Sequence, residues 1–96
     1  RGVSIGHNTY IRLSSAGRII PLEPAEAETV RFKYNGKMSC CSESLLPVLD
    51  LVNDGAKHAV REFSALATSS QHAATIIEFL NELAEAGVLI TEPEQG

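Results

Sequence analysis

The 96-residue chain carries 12 acidic and 8 basic side chains, with 44% apolar and 5% aromatic residues. This length and composition predict one small globular domain built around a single core, and they argue against a disordered segment. No run approaches the about 20 apolar residues of a membrane span, and residues 1–11 lack the apolar stretch of a secretory signal.

The beginning of the chain predicts two short strands. Residues 9–13 alternate bulky and polar side chains, and residues 18–22 form a second apolar run. Because Pro21 has no amide hydrogen to donate, it cannot lie in the middle of a sheet. We therefore expect the second run at a sheet edge, or Pro21 at a strand end.

The next segment predicts a β-hairpin. Residues 29–34 alternate apolar with basic or polar side chains, which is the period of a half-buried strand. Asn35 and Gly36 follow directly, and both tolerate the positive φ angles of the two-residue turn that matches strand twist. Residues 37–41 should therefore pair back as the second strand.

Two helices are predicted after the hairpin. Ser42 or Ser44 can cap a first helix that runs to Val52, and the Asn-Asp-Gly sequence at residues 53–55 ends it. A short second helix is predicted over residues 58–66. In both segments the apolar positions recur at the spacing of one helix face.

The longest helix is predicted over residues 71–86. Gly87 is well placed to end it in the left-handed conformation. Residues 88–91 have the apolar and β-branched composition of a last short strand. The inward positions of the long helix are predicted to be Ala73, Ile76, Ile77, Leu80, Leu83 and Ala84.

This order of elements predicts an α+β fold. More specifically, it predicts a winged-helix domain, in which β-hairpins and a short C-terminal strand accompany a three-helix core. We assign this domain to residues 9–91, with an N-terminal extension at residues 1–8 and a C-terminal tail at residues 92–96. Because the first residue is Arg1 rather than Met, we expect the domain to belong to a longer protein.

Charge is unevenly distributed along the chain. Residues 1–48 carry six basic and four acidic side chains, whereas residues 49–96 carry two basic and eight acidic ones. A long helix that reads DNA needs basic side chains on its outer face, and this one offers carboxylates that repel phosphate, so specific DNA binding is not expected. The predicted outer face consists of Gln71, Thr75, Glu78, Asn81, Glu82 and Glu85.

The acidic part of this face is the candidate site. Glu78, Glu82 and Glu85 recur at spacings of four and three, so they share one side of the helix. We interpret them as a protein-interaction face whose partner is a protein, a peptide or the rest of its own parent chain, with no membrane involved. Glu-rich outer faces more often only keep small domains soluble, so this second interpretation carries the greater weight.

No catalytic or metal-binding pattern is present in the sequence. His7, His58 and His72 are far apart and show no ligand spacing, and no Gly-rich phosphate loop occurs. Cys40 and Cys41 are neighbours, so they point to opposite faces of a strand and supply too few ligands for a zinc site. We therefore predict no catalytic residue, no cofactor and no metal, and a reducing, cytoplasmic location.

The segments Leu-Leu-Pro-Val-Leu-Asp-Leu-Val-Asn-Asp-Gly (45–55), His-Ala-Val-Arg-Glu-Phe (58–63) and Leu-Asn-Glu-Leu-Ala-Glu-Ala-Gly-Val-Leu-Ile (80–90) carry a family resemblance. Together with the hairpin, they resemble the C-terminal winged-helix domain of bacterial Jumonji-C, cupin-type oxygenases of the ribosomal-oxygenase-like group. The resemblance covers residues 9–91. It implies a non-catalytic interaction and stabilising module of a larger iron/2-oxoglutarate oxygenase-like protein. The iron-binding and 2-oxoglutarate-binding residues of that family belong to an upstream barrel, so none carries over.

The same layout is similar to the leader-peptide recognition domains of peptide-modifying enzymes. In those domains the third strand and the last helix clasp an extended peptide. The resemblance implies that a free sheet edge beside the last helix accepts a peptide as an added strand. The stretch between Gly55 and Gly87 is a few residues shorter than in those domains, and we rank this interpretation second.

Overall fold

A computed structural model describes residues 9–14, 19–21, 28–34 and 37–92. Within these residues the chain forms six strands, three α-helices and one 3₁₀ turn at Glu43–Leu45, so the predicted α+β class is confirmed. The strands are β1 (Tyr10–Leu13), β2 (Ile20–Pro21), β3 (Thr29–Tyr34), β4 (Lys37–Ser42), β5 (His58–Ala59) and β6 (Leu89–Glu92), and the helices are α1 (Leu46–Val52), α2 (Val60–Ser64) and α3 (Ser70–Glu85).

The strands form two antiparallel sheets, ordered β5-β1-β6 and β2-β3-β4. The predicted hairpin is confirmed, because β3 pairs with β4 in a continuous register that ends with Tyr34 opposite Lys37. The predicted turn residues, Asn35 and Gly36, lie outside the described residues. Strand β2 lies at the edge of its sheet, as the proline in it requires.

The first sheet joins the two ends of the described region. Strand β1 pairs with β6 from Tyr10 opposite Glu92 to Leu13 opposite Leu89. Glu92 was predicted to begin the C-terminal tail, and it instead belongs to β6. On its other side β1 pairs with β5, where Tyr10 lies opposite Ala59.

The predicted start of the second helix is wrong by two residues. His58 and Ala59 are extended and pair with β1, so α2 begins only at Val60. The local reason is that Ala59 donates its N–H to the Glu62 carboxylate at 3.0 Å, and Val60 donates its N–H to the Thr9 carbonyl at 2.8 Å. A carboxylate in the first turn thus caps α2 while tertiary pairing keeps the preceding residues extended.

The other predicted helix boundaries agree with the structure to within two residues: α1 ends at Val52 as predicted, α2 ends at Ser64 instead of residue 66, and α3 spans Ser70–Glu85 instead of residues 71–86. Ser42 Oγ accepts the N–H of Ser44 at 3.2 Å at the start of the 3₁₀ turn that leads into α1. Ser69 Oγ accepts the N–H of His72 at 3.0 Å, so Ser69 caps α3. Gly87 adopts a φ of 82°, the left-handed conformation that ends α3. None of the described helices is both long and apolar enough to cross a membrane.

The core lies between the helices and the sheets. Within α3, Ile76, Leu80 and Leu83 are buried as predicted. Phe79, which the sequence analysis did not place inward, is also buried, and its ring packs edge-on against Phe32 of β3 with 5.8 Å between centroids. This aromatic pair connects α3 to the sheet β2-β3-β4.

Asn53 has a second role beyond ending α1. Its Nδ2 donates to the Ile19 carbonyl at 2.6 Å, and its Oδ1 accepts the Ile19 N–H at 3.1 Å. The side-chain amide therefore satisfies both backbone hydrogen-bonding groups of Ile19, whose own side chain is buried.

Candidate protein-interaction groove

Strand β4 has a free edge beside α3. In the order β2-β3-β4 no described strand pairs with the outer side of β4. Only two residues separate the paired Tyr34 and Lys37, so this pair is hydrogen-bonded. From there along the hairpin, non-hydrogen-bonded and hydrogen-bonded pairs alternate. The amides of Met38 and Cys40 therefore point away from β3, towards the free edge.

The register also fixes which side chains of β4 face α3. Cys41 lies opposite Val30, and Ser39 lies opposite Phe32, and directly opposed residues share one face of a sheet. Because Val30 and Phe32 are buried in the core, Cys41 and Ser39 face the helix side. Cys41 is half-buried and packs at the edge of the core.

A groove of about 130 Å³ lies between β4 and α3. Its floor is apolar, because Leu45 and Phe79 are almost completely buried beneath it. One wall is the free-edged strand and the other is the side of α3 that carries acidic residues. The lining consists of Cys40, Cys41, Leu45, Thr75, Glu78, Phe79 and Glu82.

The structure separates the three predicted site residues into two groups. Glu78 and Glu82 are exposed on α3 and line the groove. Neither forms an ion pair with a described residue. Glu85 is also exposed on α3, but it lies outside the groove lining. The acidic face predicted as one unit is thus a two-carboxylate wall with a third carboxylate beyond it.

Both cysteines belong to the opposite wall, where Cys41 faces α3 and packs against the core. Cys40 is exposed and Cys41 is half-buried, as expected for neighbours on opposite faces of a strand, and both are free thiols. Burial, and to a lesser degree the neighbouring Cys40, raises the pKa of the Cys41 thiol. Cys41 therefore stays neutral near neutral pH and lines the groove as a small apolar group.

A second, larger depression of about 420 Å³, lined by polar side chains, adjoins the groove and shares Thr75 with it. The ring of His72 lies in this depression. Its Nδ1 accepts the Thr68 N–H at 3.1 Å, and its Nε2 donates to the Ser44 carbonyl at 3.2 Å. Both ring nitrogens are thus used to hold the start of α3 against the 3₁₀ turn.

A cluster of titratable side chains lies away from the groove, between α1 and α2. His58 Nε2 is 2.7 Å from Asp54 Oδ2, and His58 Nδ1 is 2.9 Å from Glu62 Oε1. Partial burial of the ring opposes its charge, but the two carboxylates outweigh burial and raise the pKa of His58. The pKa of Asp54 is lowered by the N–H of Ala56 and by His58, and that of Glu62 by the N–H of Ala59 and by His58.

We expect this cluster to stabilise the fold most between about pH 4.5 and about pH 6.5. A raised His58 pKa adds stability below the unfolded-state pKa, and this stability is lost as pH rises through the folded-state pKa. Lowered carboxyl pKa values add stability above their unfolded-state values, and it is lost as pH falls through the folded-state values. Urea titrations of the wild type and His58→Gln should show a stability difference that shrinks as the pH rises above about 6.5, the ordinary pKa of histidine. A difference that does not change with pH would contradict this assignment.

Several groove residues were missed by sequence reasoning. Phe79 follows Ile76 by three residues and precedes Leu83 by four, so its helical spacing could have placed it inward. Leu45 falls at helical spacing with Val48 and Val52, which predicts burial, but its place in the groove lining, like that of the two cysteines, depends on how the hairpin lies against α3. No group of three His, Cys, Asp or Glu side chains within the described ranges is arranged to hold a metal ion.

The groove combines unpaired backbone groups, an apolar floor and an acidic wall. Such a surface can bind an extended chain through main-chain hydrogen bonds and select it through side-chain contacts. Comparison with protein-family models, curated proteins and solved structures gave no match to this chain.

Proposed function

We propose that this domain is a non-catalytic protein-interaction module that binds an extended peptide segment of a partner protein along β4. The observation that carries the proposal is the free edge of β4 beside the groove. A peptide lying there would add a fourth strand to the sheet β2-β3-β4. The outward amides of Met38 and Cys40 would supply the main-chain hydrogen bonds.

The size of the site fits a short segment. Strand β4 has six residues, and at about 3.4 Å per residue it spans about 20 Å. A matching segment of six to nine residues would place alternate side chains in the groove and on the outer face of the sheet. Buried Leu45 and Phe79 would give the inward side chains an apolar surface to cover.

We further propose that the fold is a winged helix and that the module acts in the cytoplasm. Three features support the winged helix: the chain has three helices, the last of them leads through Gly87 into the strand β6, and the other sheet contains a hairpin. Support for the location comes from the two unpaired cysteines, which favour a reducing compartment. The exposed carboxylates on α3 support our proposal that the partner is not DNA.

The family resemblance adds a second candidate, in which this module stabilises a larger iron/2-oxoglutarate oxygenase-like protein. In that case the segment in the groove belongs to the same parent chain. An upstream His-x-Asp or His-x-Glu with a distal His in the parent sequence would favour this candidate. A parent without such a pattern would exclude it.

Cys40→Pro tests the proposed binding edge. Proline removes the outward amide of residue 40 without removing a ladder bond to β3, and it is tolerated on edge strands. The matched control is Cys40→Ala, which loses the same thiol and keeps the amide. Circular dichroism and melting curves establish that both variants fold.

The probes are peptides selected from a random nine-residue display library against the wild-type domain. We expect the selected peptides to shift the β4 amide resonances and to bind Cys40→Ala like the wild type. Binding to Cys40→Pro should weaken about tenfold or more, since a main-chain bond and its neighbours are lost. Equal binding to both variants, or enrichment of no peptide, would overturn the proposal. If light scattering gives the mass of a dimer and the Cys40→Pro variant is a monomer, the segment bound at β4 is a second copy of this chain instead of a partner protein.

A further inference from the structure

The two sides of a strand added to β4 would meet charges of opposite sign. On the side that faces α3, the added strand would lie beside Ser39 and Cys41 and across from the carboxylates of Glu78 and Glu82. These carboxylates lie one helical turn apart, so one or two side chains of the added strand can reach both. The inward side of the added strand therefore favours Lys or Arg opposite the two carboxylates. Beside it, an apolar residue is favoured where the strand covers Phe79.

The other side of the sheet is basic. Arg31 lies opposite Cys40, and Lys33 lies opposite Met38, so these side chains share the outer face. Arg31 and Lys33 are both exposed. An added strand would lie two strand spacings from β3, about 9.6 Å, which is close to the screening length at physiological salt and within reach of long side chains. The outward side therefore favours Asp or Glu.

One basic residue lies on the inward side. Lys37 has the same strand parity as Ser39 and Cys41, but it begins β4 and lies at the opposite end from the Ser42 terminus. It does not line the groove. The acidic wall therefore acts on the part of an added strand that lies near Cys41.

We propose that the bound segment alternates in charge along its length, with Lys or Arg on the side facing α3 and Asp or Glu on the side facing away. This inference rests on the proposed function, since it specifies the chemistry of the partner at the same edge. The alternation has the period of two that an extended chain imposes on its side chains. A segment of this kind satisfies both faces at once, whereas a uniformly basic segment would be repelled by the outer face.

Two isomeric probe peptides test the alternation. The first is Lys-Glu-Lys-Glu-Leu-Glu-Lys-Glu-Lys, which in an extended chain places all Lys and the Leu on one side and all Glu on the other. The second is Lys-Lys-Glu-Glu-Leu-Glu-Glu-Lys-Lys, which has the same composition and the same zero net charge but mixes the signs on both sides. Each sequence reads the same in both directions, so parallel and antiparallel binding present the same faces.

We expect the alternating peptide to bind the wild-type domain about tenfold more tightly than its isomer, from several cross-strand charge pairs. The double variant Glu78→Gln/Glu82→Gln should reduce this preference to about threefold or less, because only the outer face then discriminates. Glu85→Gln is the matched control: it removes one charge from the same helix outside the groove, and it should leave the preference intact. Equal binding of the two isomers to the wild type would overturn the inference. So would a preference that the double variant retains in full.

A third peptide separates this inference from the proposed function. It carries Thr in place of every Lys and Glu and keeps the central Leu. If it shifts the β4 amides and loses affinity for Cys40→Pro while the charged isomers bind equally, the peptide edge stands and the charge alternation fails. If none of the three peptides shifts the β4 amides, both proposals fail.

Discussion

Leu80→Ala is expected to lower the free energy of unfolding by about 2–5 kcal/mol. Leu80 is 0% exposed in the middle of α3, where it belongs to the cluster that joins the helices to both sheets. Truncation removes the transfer free energy of its buried carbons and leaves a cavity that close-packed neighbours fill only in part. Urea unfolding monitored by circular dichroism measures the change directly.

The control for this substitution is Ile77→Ala on the same helix. Ile77 is only partly buried and packs at the margin of the core, so its truncation should cost clearly less than that of Leu80. Both variants lose a large aliphatic side chain and gain similar helix propensity, so the difference between them reports burial. A cost for Leu80→Ala below about 0.5 kcal/mol would mean that α3 turns another face to the core.

Asn53→Asp replaces the side-chain amide nitrogen with an oxygen, and we expect it to lower the free energy of unfolding strongly. The wild-type side chain donates to the Ile19 carbonyl at 2.6 Å and accepts the Ile19 N–H at 3.1 Å. Aspartate preserves the acceptor and replaces the donor with a carboxylate oxygen facing a carbonyl. We expect the free energy of unfolding to fall by about 2–4 kcal/mol, because the Ile19 carbonyl loses its donor and faces a second acceptor that repels it.

Asn53→Ala distinguishes this arrangement from a simple helix-ending role. Alanine removes both hydrogen bonds but creates no repulsion, so it should destabilise less than aspartate at neutral pH. Lowering the pH should recover part of the loss in the aspartate variant, because a protonated carboxyl can donate to the Ile19 carbonyl. Equal destabilisation by Ala and Asp, with no recovery at low pH, would contradict the paired geometry.

Local patterns predicted most of the elements because those elements follow from local chemistry. The alternation in residues 29–34 and the cap at Ser42 act within a few residues, and the structure contains the corresponding hairpin and the 3₁₀ turn that leads into α1. Gly87 likewise ends α3 in the left-handed conformation that its position predicts. In each of these segments the sequence period and the final environment agree.

The features that were missed depend on partners distant in sequence. His58 and Ala59 have helical neighbours, yet pairing with β1, some 48 residues earlier, keeps them extended. The two hydrogen bonds of the Asn53 side chain require the backbone of Ile19, 34 residues earlier. The groove requires β4 to lie against α3. Glu78 and Glu82 could be placed on one face from their spacing, but their separation from Glu85 depends on where the hairpin lies.

The pairing of β1 with β6 determines how the domain would respond to tension. Tyr10 and Glu92 lie opposite each other, so chain attached before one and after the other leaves from the same end of the strand pair. The bonds between antiparallel strands run perpendicular to the strands, so a pull on these two points loads them one at a time instead of all together. Such a pair unzips at low force, and β6 would peel from β1 before any load reaches the hairpin of β3 and β4.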